Sequence, residues 1–175
     1  MWVERGGVIP AACLVQQGRI EEGLAGLEEA KAQVAALGAK SWYEVFTALI
    51  LAQACGQSDR PERGLEVLAS LDAMPDVRFY AAEVDRVRGE LLLMRSPAAT
   101  AEAHACLQRS LDLAALRQEK ALELRAAVSL ARALARGPRH REVRARLAAV
   151  YAGFTEGGDT ADLRTARAQL EELDS

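Results

Sequence analysis

Apolar residues recur at helical spacing along this chain, and whole stretches of that pattern recur at a step of about 40 residues. Gly23, Gly64, Ala103 and Val143 each lie early in an apolar-striped stretch, at steps of 41, 39 and 40 residues. Four and seven places further on stand Leu27 and Ala30, Leu68 and Leu71, Leu107 and Ser110, and Leu147 and Val150. A step of that length holds two helices, so the pattern predicts stacked helical hairpins.

Breakers and caps divide the stripes into elements. Val8 to Gln17 is a short first helix with Pro10 in its first turn, and Gly18-Arg19 is the break after it. The next helix carries Ile20, Leu24, Leu27, Ala30 and Val34 on one stripe and stops at Gly38. Ser41 and Glu44 form a capping box for the third. Asp59 is placed to cap the fourth, with Pro61 in its first turn and Glu62 reaching back. Asp76 caps a long helix carrying Phe79, Tyr80, Val84, Val87 and Leu91. Thr100 caps the next, which has no strong breaker at its far end. Gly137-Pro138 is the turn within the last hairpin and Gly157-Gly158 stops it, and Asp159 or Thr160 caps a final helix with Leu163, Ala166, Leu170 and Leu173 on one side. The result is one all-α domain over residues 1–175, with hairpins at about 8–37, 41–73, 77–117 and 119–154 and a capping helix at about 160–173. That helix has no partner of its own and covers the open apolar end of the stack.

Composition supports this reading. Hydrophobic residues make up 50% of the chain and aromatic ones 5%, with alanine and leucine leading, both good helix formers. The net charge of −3 lacks the basic excess of a nucleic-acid surface, and the basic run from Arg136 to Arg146 reads as a solvated helix start. Cys13, Cys55 and Cys106 are far apart and read as small core thiols, not zinc ligands. No stretch reads as a signal peptide or a membrane span, so a cytoplasmic location is expected.

Within each hairpin the spacing is tighter still. Twelve places before the four anchors lie Ala11, Ala52, Leu91 and Ala131, where small residues let paired helices approach closely; in the third hairpin Gly89 suits that role better. Together with the Gly18-Arg19 turn, this resembles a tetratricopeptide (TPR) array with lengthened helices. Residues 14–24, 88–93, 123–132 and 151–163 resemble the C-terminal TPR region of bacterial signalling ATPases, which are joined to adenylate-cyclase-type or LuxR-type output domains. The large aromatic expected early in the first repeat is missing unless Trp2 serves.

The resemblance implies a groove lined by the first helix of each hairpin. Here that selects Phe46, Leu49, Gln53 and Gln57, then Glu83, Arg86 and Glu90, then Arg125 and Arg132, with Val128 beside them. Three arginines on one concave surface suit an acidic peptide or a terminal carboxylate. Glu83 and Glu90, three and four places from Arg86, offer the competing use, an ion network that neutralises the groove. Phe46 and Tyr80 are candidates for ligand contact or for core packing.

Nothing in the sequence points to catalysis. There is no glycine-rich phosphate loop and no H-E-x-x-H spacing, and the adjacent acids Glu21-Glu22, Glu28-Glu29 and Glu171-Glu172 point in different directions on helix faces. Ser110 and Ser129 have no base at a predictable position. The expected function is a non-catalytic protein-interaction or regulatory module without a cofactor. Its partner is a protein or peptide, an acidic one where the arginines are used; neither nucleic acid nor membrane is expected. A self-associating scaffold, a homodimer through leucines of the terminal hairpin, and a small-molecule sensor are the alternatives.

Overall fold

The computed structural model describes residues 7–36, 41–96, 100–156 and 158–174, apart from the side chains of Ser41 and Pro75. Nine α-helices run through them: α1 Val8–Gln16, α2 Ile20–Ala36, α3 Ser41–Gln57, α4 Pro61–Ala69, α5 Ala81–Arg95, α6 Thr100–Leu116, α7 Lys120–Leu134, α8 His140–Ala152 and α9 Ala161–Leu173. A 3-10 segment, Pro75–Tyr80, leads into α5. No strand occurs among the described residues.

The helices pack as sequential pairs, α1 with α2, α3 with α4, α5 with α6 and α7 with α8, and α9 follows. Each odd-numbered helix also meets the next odd-numbered one, whereas the even-numbered helices meet only their odd-numbered neighbours and, at the end, α9. The odd helices therefore form a continuous inner layer, and each even helix wedges between two of them on the outside. This is an all-α, TPR-like superhelical array, concave along α3, α5, α7 and α9.

The repeat positions explain the stacking. Leu27, Leu68, Leu107 and Leu147 occupy equivalent places on α2, α4, α6 and α8, and all four are fully buried. Each removes a whole leucine side chain from water, a contribution of about 1.5–3 kcal/mol. Close approach depends on missing side chains. A Cβ on Gly23 would lie 2.9 Å from the Ala11 carbonyl oxygen, and one on Gly64 3.1 Å from that of Ala52. In the third pair the roles reverse: the small residue is Gly89 on α5, whose Cβ would lie 3.0 Å from the Ala103 carbonyl oxygen on α6. The main core clusters, one around α1 to α5 and one around α6 to α9, flank a small group of Leu92, Ala103 and Cys106.

Three connections share one device. Gly18, Asp59 and Gln118 have φ of 80°, 57° and 58°, in the left-handed region. The next amide in each case bonds five residues back, Arg19 to Leu14, Arg60 to Cys55 and Glu119 to Ala114, all at 2.9 Å. These are Schellman closures of α1, α3 and α6.

The structure corrects several sequence-level expectations. Asp59 closes α3 instead of capping α4, whose N-cap is Arg60 with no side-chain capping bond. Asp76 starts no long helix: it lies in the 3-10 segment, and α5 begins at Ala81, beyond Phe79 and Tyr80. Phe79 is exposed beneath the Arg78 guanidinium, 5.0 Å from its ring centre. Thr100 is already the first residue of α6. Thr160, one of the two residues expected to cap α9, is its N-cap, but it makes no side-chain capping bond. Cys13 is exposed, so only Cys55 and Cys106 are core thiols. Trp2, the Gly38 stop, the Ser41 hydroxyl, the 97–99 connection and Gly157 lie outside the described residues or side chains.

Candidate functional site

The inner layer carries a cleft of about 560 Å³ running from α3 across α5 to α7. Its apolar lining comes mainly from Val87, Leu91, Leu93 and Met94 of α5, with Gly56 from α3 and Ala133 from α7. Its polar lining is Gln53 and Gln57 of α3, Arg86 and Glu90 of α5, and Arg125, Ser129 and Arg132 of α7. A smaller continuation shares Arg86, Glu90, Arg125, Ser129 and Arg132 and extends past Val128 to Asp162 and Thr165 of α9.

The cleft is bordered by an ion network. The Arg86 guanidinium donates through Nε to Glu83 Oε2 at 2.9 Å, through Nη2 to Glu83 Oε1 at 2.8 Å and through Nη1 to Glu90 Oε1 at 2.8 Å. Gln53 Nε2 donates to Glu83 Oε1 at 2.8 Å, and Arg125 Nη1 reaches the same oxygen at 3.2 Å. Ser129 Oγ lies 2.6 Å from Glu90 Oε1 and 3.0 Å from the Arg125 carbonyl oxygen, two acceptors for one proton. Arg125 also pairs with Asp162 of α9, Nε to Oδ2 at 3.4 Å.

Burial sets the strength of this network. The Arg86 and Glu83 side chains are only 11% and 10% exposed. Burial alone would push the Glu83 carboxyl up. The Arg86 hydrogen bonds, the charges of Arg86 and Arg125 and the Gln53 amide outweigh it and hold Glu83 below its ordinary value. Burial likewise works against the Arg86 charge, and the hydrogen bonds and charges of Glu83 and Glu90 raise it above its ordinary value nonetheless. Both groups are therefore charged at neutral pH.

The arginines divide into two kinds. Arg86 and Arg125 are committed to Glu83, Glu90 and Asp162. Arg132 is exposed, and among the described residues it makes no ion pair; its Nε donates to the Gln169 amide oxygen at 3.3 Å.

Of the residues the sequence places in the groove, Gln53, Gln57, Arg86, Glu90, Arg125 and Arg132 line the cleft. Glu83 is buried beside it and holds Arg86 and Arg125 in place. Leu49 lies in the core at 4% exposure. Phe46 packs against the core and stacks on Tyr43 at 6.2 Å between ring centres, and neither Phe46 nor Leu49 lines the cleft. Tyr80 packs against the core as well. Sequence reasoning missed Ser129, Met94 and Ala133 as lining residues, and Asp162 and Gln169 as partners of the arginines. The repeat itself carried a signal for them. Gln16 bonds Gln57, Arg125 bonds Glu83, Ser129 bonds Glu90 and Arg132 bonds Gln169, pairs 41, 42, 39 and 37 residues apart. Polar residues about one step apart meet as successive rungs of the inner layer.

The outer surface is knitted by similar pairs. Arg60 of the α3–α4 turn bonds Glu21, and Arg63 of α4 bonds Glu28 at 2.6 Å and Glu66 at 3.0 Å. In the basic run, Arg139 pairs with Glu142, Arg144 with Asp174 and Arg146 with Glu123.

The described residues hold no group of three or more metal-ligating side chains, and none of their helices is long and apolar enough to cross a membrane. No histidine lines the cleft, and the Glu90 oxygen beside Ser129 is already bonded by Arg86. The arrangement is that of a helical scaffold with a cleft along its inner layer. No family model, no curated protein and no solved structure matches the chain.

Proposed function

We propose that this chain is a protein-interaction module serving a bacterial signalling or transcription-regulating protein, and that its partner engages the concave face formed by α3, α5 and α7. The observation that carries the reading is the cleft itself: an apolar strip along α5 with polar side chains to either side, held open by an ion network that fixes the spacing of three successive inner helices. A groove of that build offers burial for apolar side chains and directional bonds at its rim. The regulatory context rests on the likeness of the repeat stretches to TPR regions of signalling ATPases.

Ala133→Phe tests it. Ala133 is half-buried on the cleft wall, and a phenyl ring there fills the passage between α5 and α7. The partner captured by the wild-type chain should be lost from this variant while circular dichroism stays unchanged. A partner that binds both proteins equally defeats the assignment to this face. The cleft volume also falls in the range of small-ligand pockets, about 300–1,000 Å³, so a sensor for a small molecule is the second reading. A metabolite that raises the melting temperature of the wild type but not of Ala133→Phe would favour it.

A further inference from the structure

Charge bookkeeping within the concave face narrows the kind of partner, granted that this face is the binding surface. The arginines Arg86 and Arg125 are each held in ion pairs, Arg86 with Glu83 and Glu90, Arg125 with Glu83 and Asp162. Arg132 is the arginine of this face that makes no ion pair among the described residues; it donates to the Gln169 amide oxygen, and it lines both the main cleft and its continuation. An exposed guanidinium next to an apolar strip complements a carboxylate next to apolar side chains.

The continuation decides where that carboxylate comes from. A groove ending at Arg132 would suit a chain terminus. This one runs on past Arg132 to Asp162 and Thr165 of α9, so an occupant has room on both sides of the guanidinium. Adjacent helix axes lie about 8–10 Å apart, so a path from α3 to α9 crosses roughly 24–30 Å, or about eight extended residues at ~3.3 Å each. The acidic side chains of Glu90 and Asp162 along this path attract a basic segment less strongly than they would if free, because Arg86 and Arg125 hold them. Arg132 is therefore the charge along this path that no described residue holds in an ion pair.

We propose that the concave face takes an extended internal peptide segment that lays apolar side chains along Val87, Leu91 and Met94 and presents one Asp or Glu side chain to Arg132. A single guanidinium reads a single acid. Further acids gain less from Arg86 and Arg125, which Glu83, Glu90 and Asp162 already hold in ion pairs.

The test is selection from two random octapeptide libraries against the full chain, one with both ends fused to carrier and one with a free carboxyl end. Wild type, Arg132→Gln and Ala133→Phe serve as baits. The expected result is enrichment, from the doubly fused library, of peptides with apolar residues and one acid. Synthetic copies with Asp changed to Asn should bind about tenfold more weakly to the wild type and equally to Arg132→Gln, the scale expected for one exposed charge-assisted bond. Enriched peptides that Ala133→Phe abolishes but that carry no acid, or whose acid preference survives Arg132→Gln, overturn this inference and leave the concave face as the binding surface. Enrichment only from the free-ended library transfers the carboxylate to a chain terminus and also overturns it. No peptide lost on Ala133→Phe overturns the function proposed for the face together with the inference. Arg132 is exposed with one bond to an amide, so Arg132→Gln leaves the fold intact, which circular dichroism verifies.

Discussion

Replacing Arg86 with methionine removes three hydrogen bonds and leaves the buried Glu83 carboxylate with Gln53 and Arg125 as its partners. Stripping one member from a buried ion pair costs about 3–5 kcal/mol, mostly because a charge is left without compensation. Arg125 stays within 3.2 Å of Glu83, so the lower end of that range applies, about 3 kcal/mol. A chain of this size loses about 2–4 °C of melting temperature per kcal/mol, which puts the expected fall at roughly 6–12 °C. Arg86→Met with Glu83→Leu removes both charges and fills the space with apolar atoms, and it should recover most of the loss. Urea unfolding followed by circular dichroism gives the two values. A double variant no more stable than Arg86→Met alone refutes the account, because the cost would then lie in lost packing and not in a stranded charge.

The same network carries a pH dependence of known sign. Glu83 has a folded value below its unfolded one near 4.5. Its stabilising contribution is therefore complete above the unfolded value and drains away as pH falls through the folded one. The urea midpoint of wild type minus that of Glu83→Gln should be constant near neutrality and shrink below pH 4.5. Exposed carboxylates such as Glu22, Glu142 and Asp174 titrate alike in both proteins and cancel in the difference. A difference that holds flat to the acid limit of folding would remove Glu83 as the responsible group.

Three further outcomes follow from local geometry. Gly23→Ala should destabilise by about 1–2 kcal/mol despite alanine's better helix propensity, since the new Cβ meets the Val15 amide nitrogen at 2.8 Å and the Ala11 carbonyl oxygen at 2.9 Å, backbone atoms that no rotamer change moves. Gly158→Ala, with nothing within 4 Å, is the control, and thermal melts distinguish them. Gln118→Gly should stabilise by about 0.5–1 kcal/mol by relieving the left-handed φ of 58° at the close of α6, measured as a higher urea midpoint. A thiol reagent added to the folded chain should modify Cys13 alone: Cys55 and Cys106 are buried, and burial, then the charge of Glu28, pushes the Cys55 thiol up against the opposing pull of Arg63 and Arg60.

The repeat was legible because its markers are local and recur. Leu27, Leu68, Leu107 and Leu147 keep one step and one role, and the glycines and alanines facing them report how closely the helices approach. The turns were less legible. A left-handed residue is easy to place when it is Gly18; Gln118 adopts the same conformation with a side chain that ordinarily avoids it, so the break between α6 and α7 has no breaker. Asp59 carries the composition of an N-cap and serves as a closing residue, because an aspartate suits either place and the Schellman bond from Arg60 to Cys55 decides. The Pro75–Tyr80 segment has helical composition, yet it is wound as a 3-10 segment and leaves Phe79 outside the core.

The groove was only half legible for a related reason. Periodicity tells which helix face a side chain occupies, and so it brought Gln53, Arg86, Glu90, Arg125 and Arg132 to one side. Whether an arginine on that side is free depends on what the next helix presents opposite it. Arg86 finds its acids within its own helix, at three and four places, where a sequence shows them. Arg125 is committed from two other helices, by Glu83 behind it and Asp162 ahead, and Arg132 meets an amide of α9 where an acid would have neutralised it. The last helix thus does more than cover Leu163, Ala166 and Leu173 against the second core cluster. By placing Asp162 against Arg125 and Gln169 against Arg132, it gives one of two neighbouring cations on α7 a second acid and the other an amide. Exchanging those two partners, with Asp162→Gln and Gln169→Glu, would give Arg132 an acid partner and leave Arg125 with Glu83 alone, without altering either arginine.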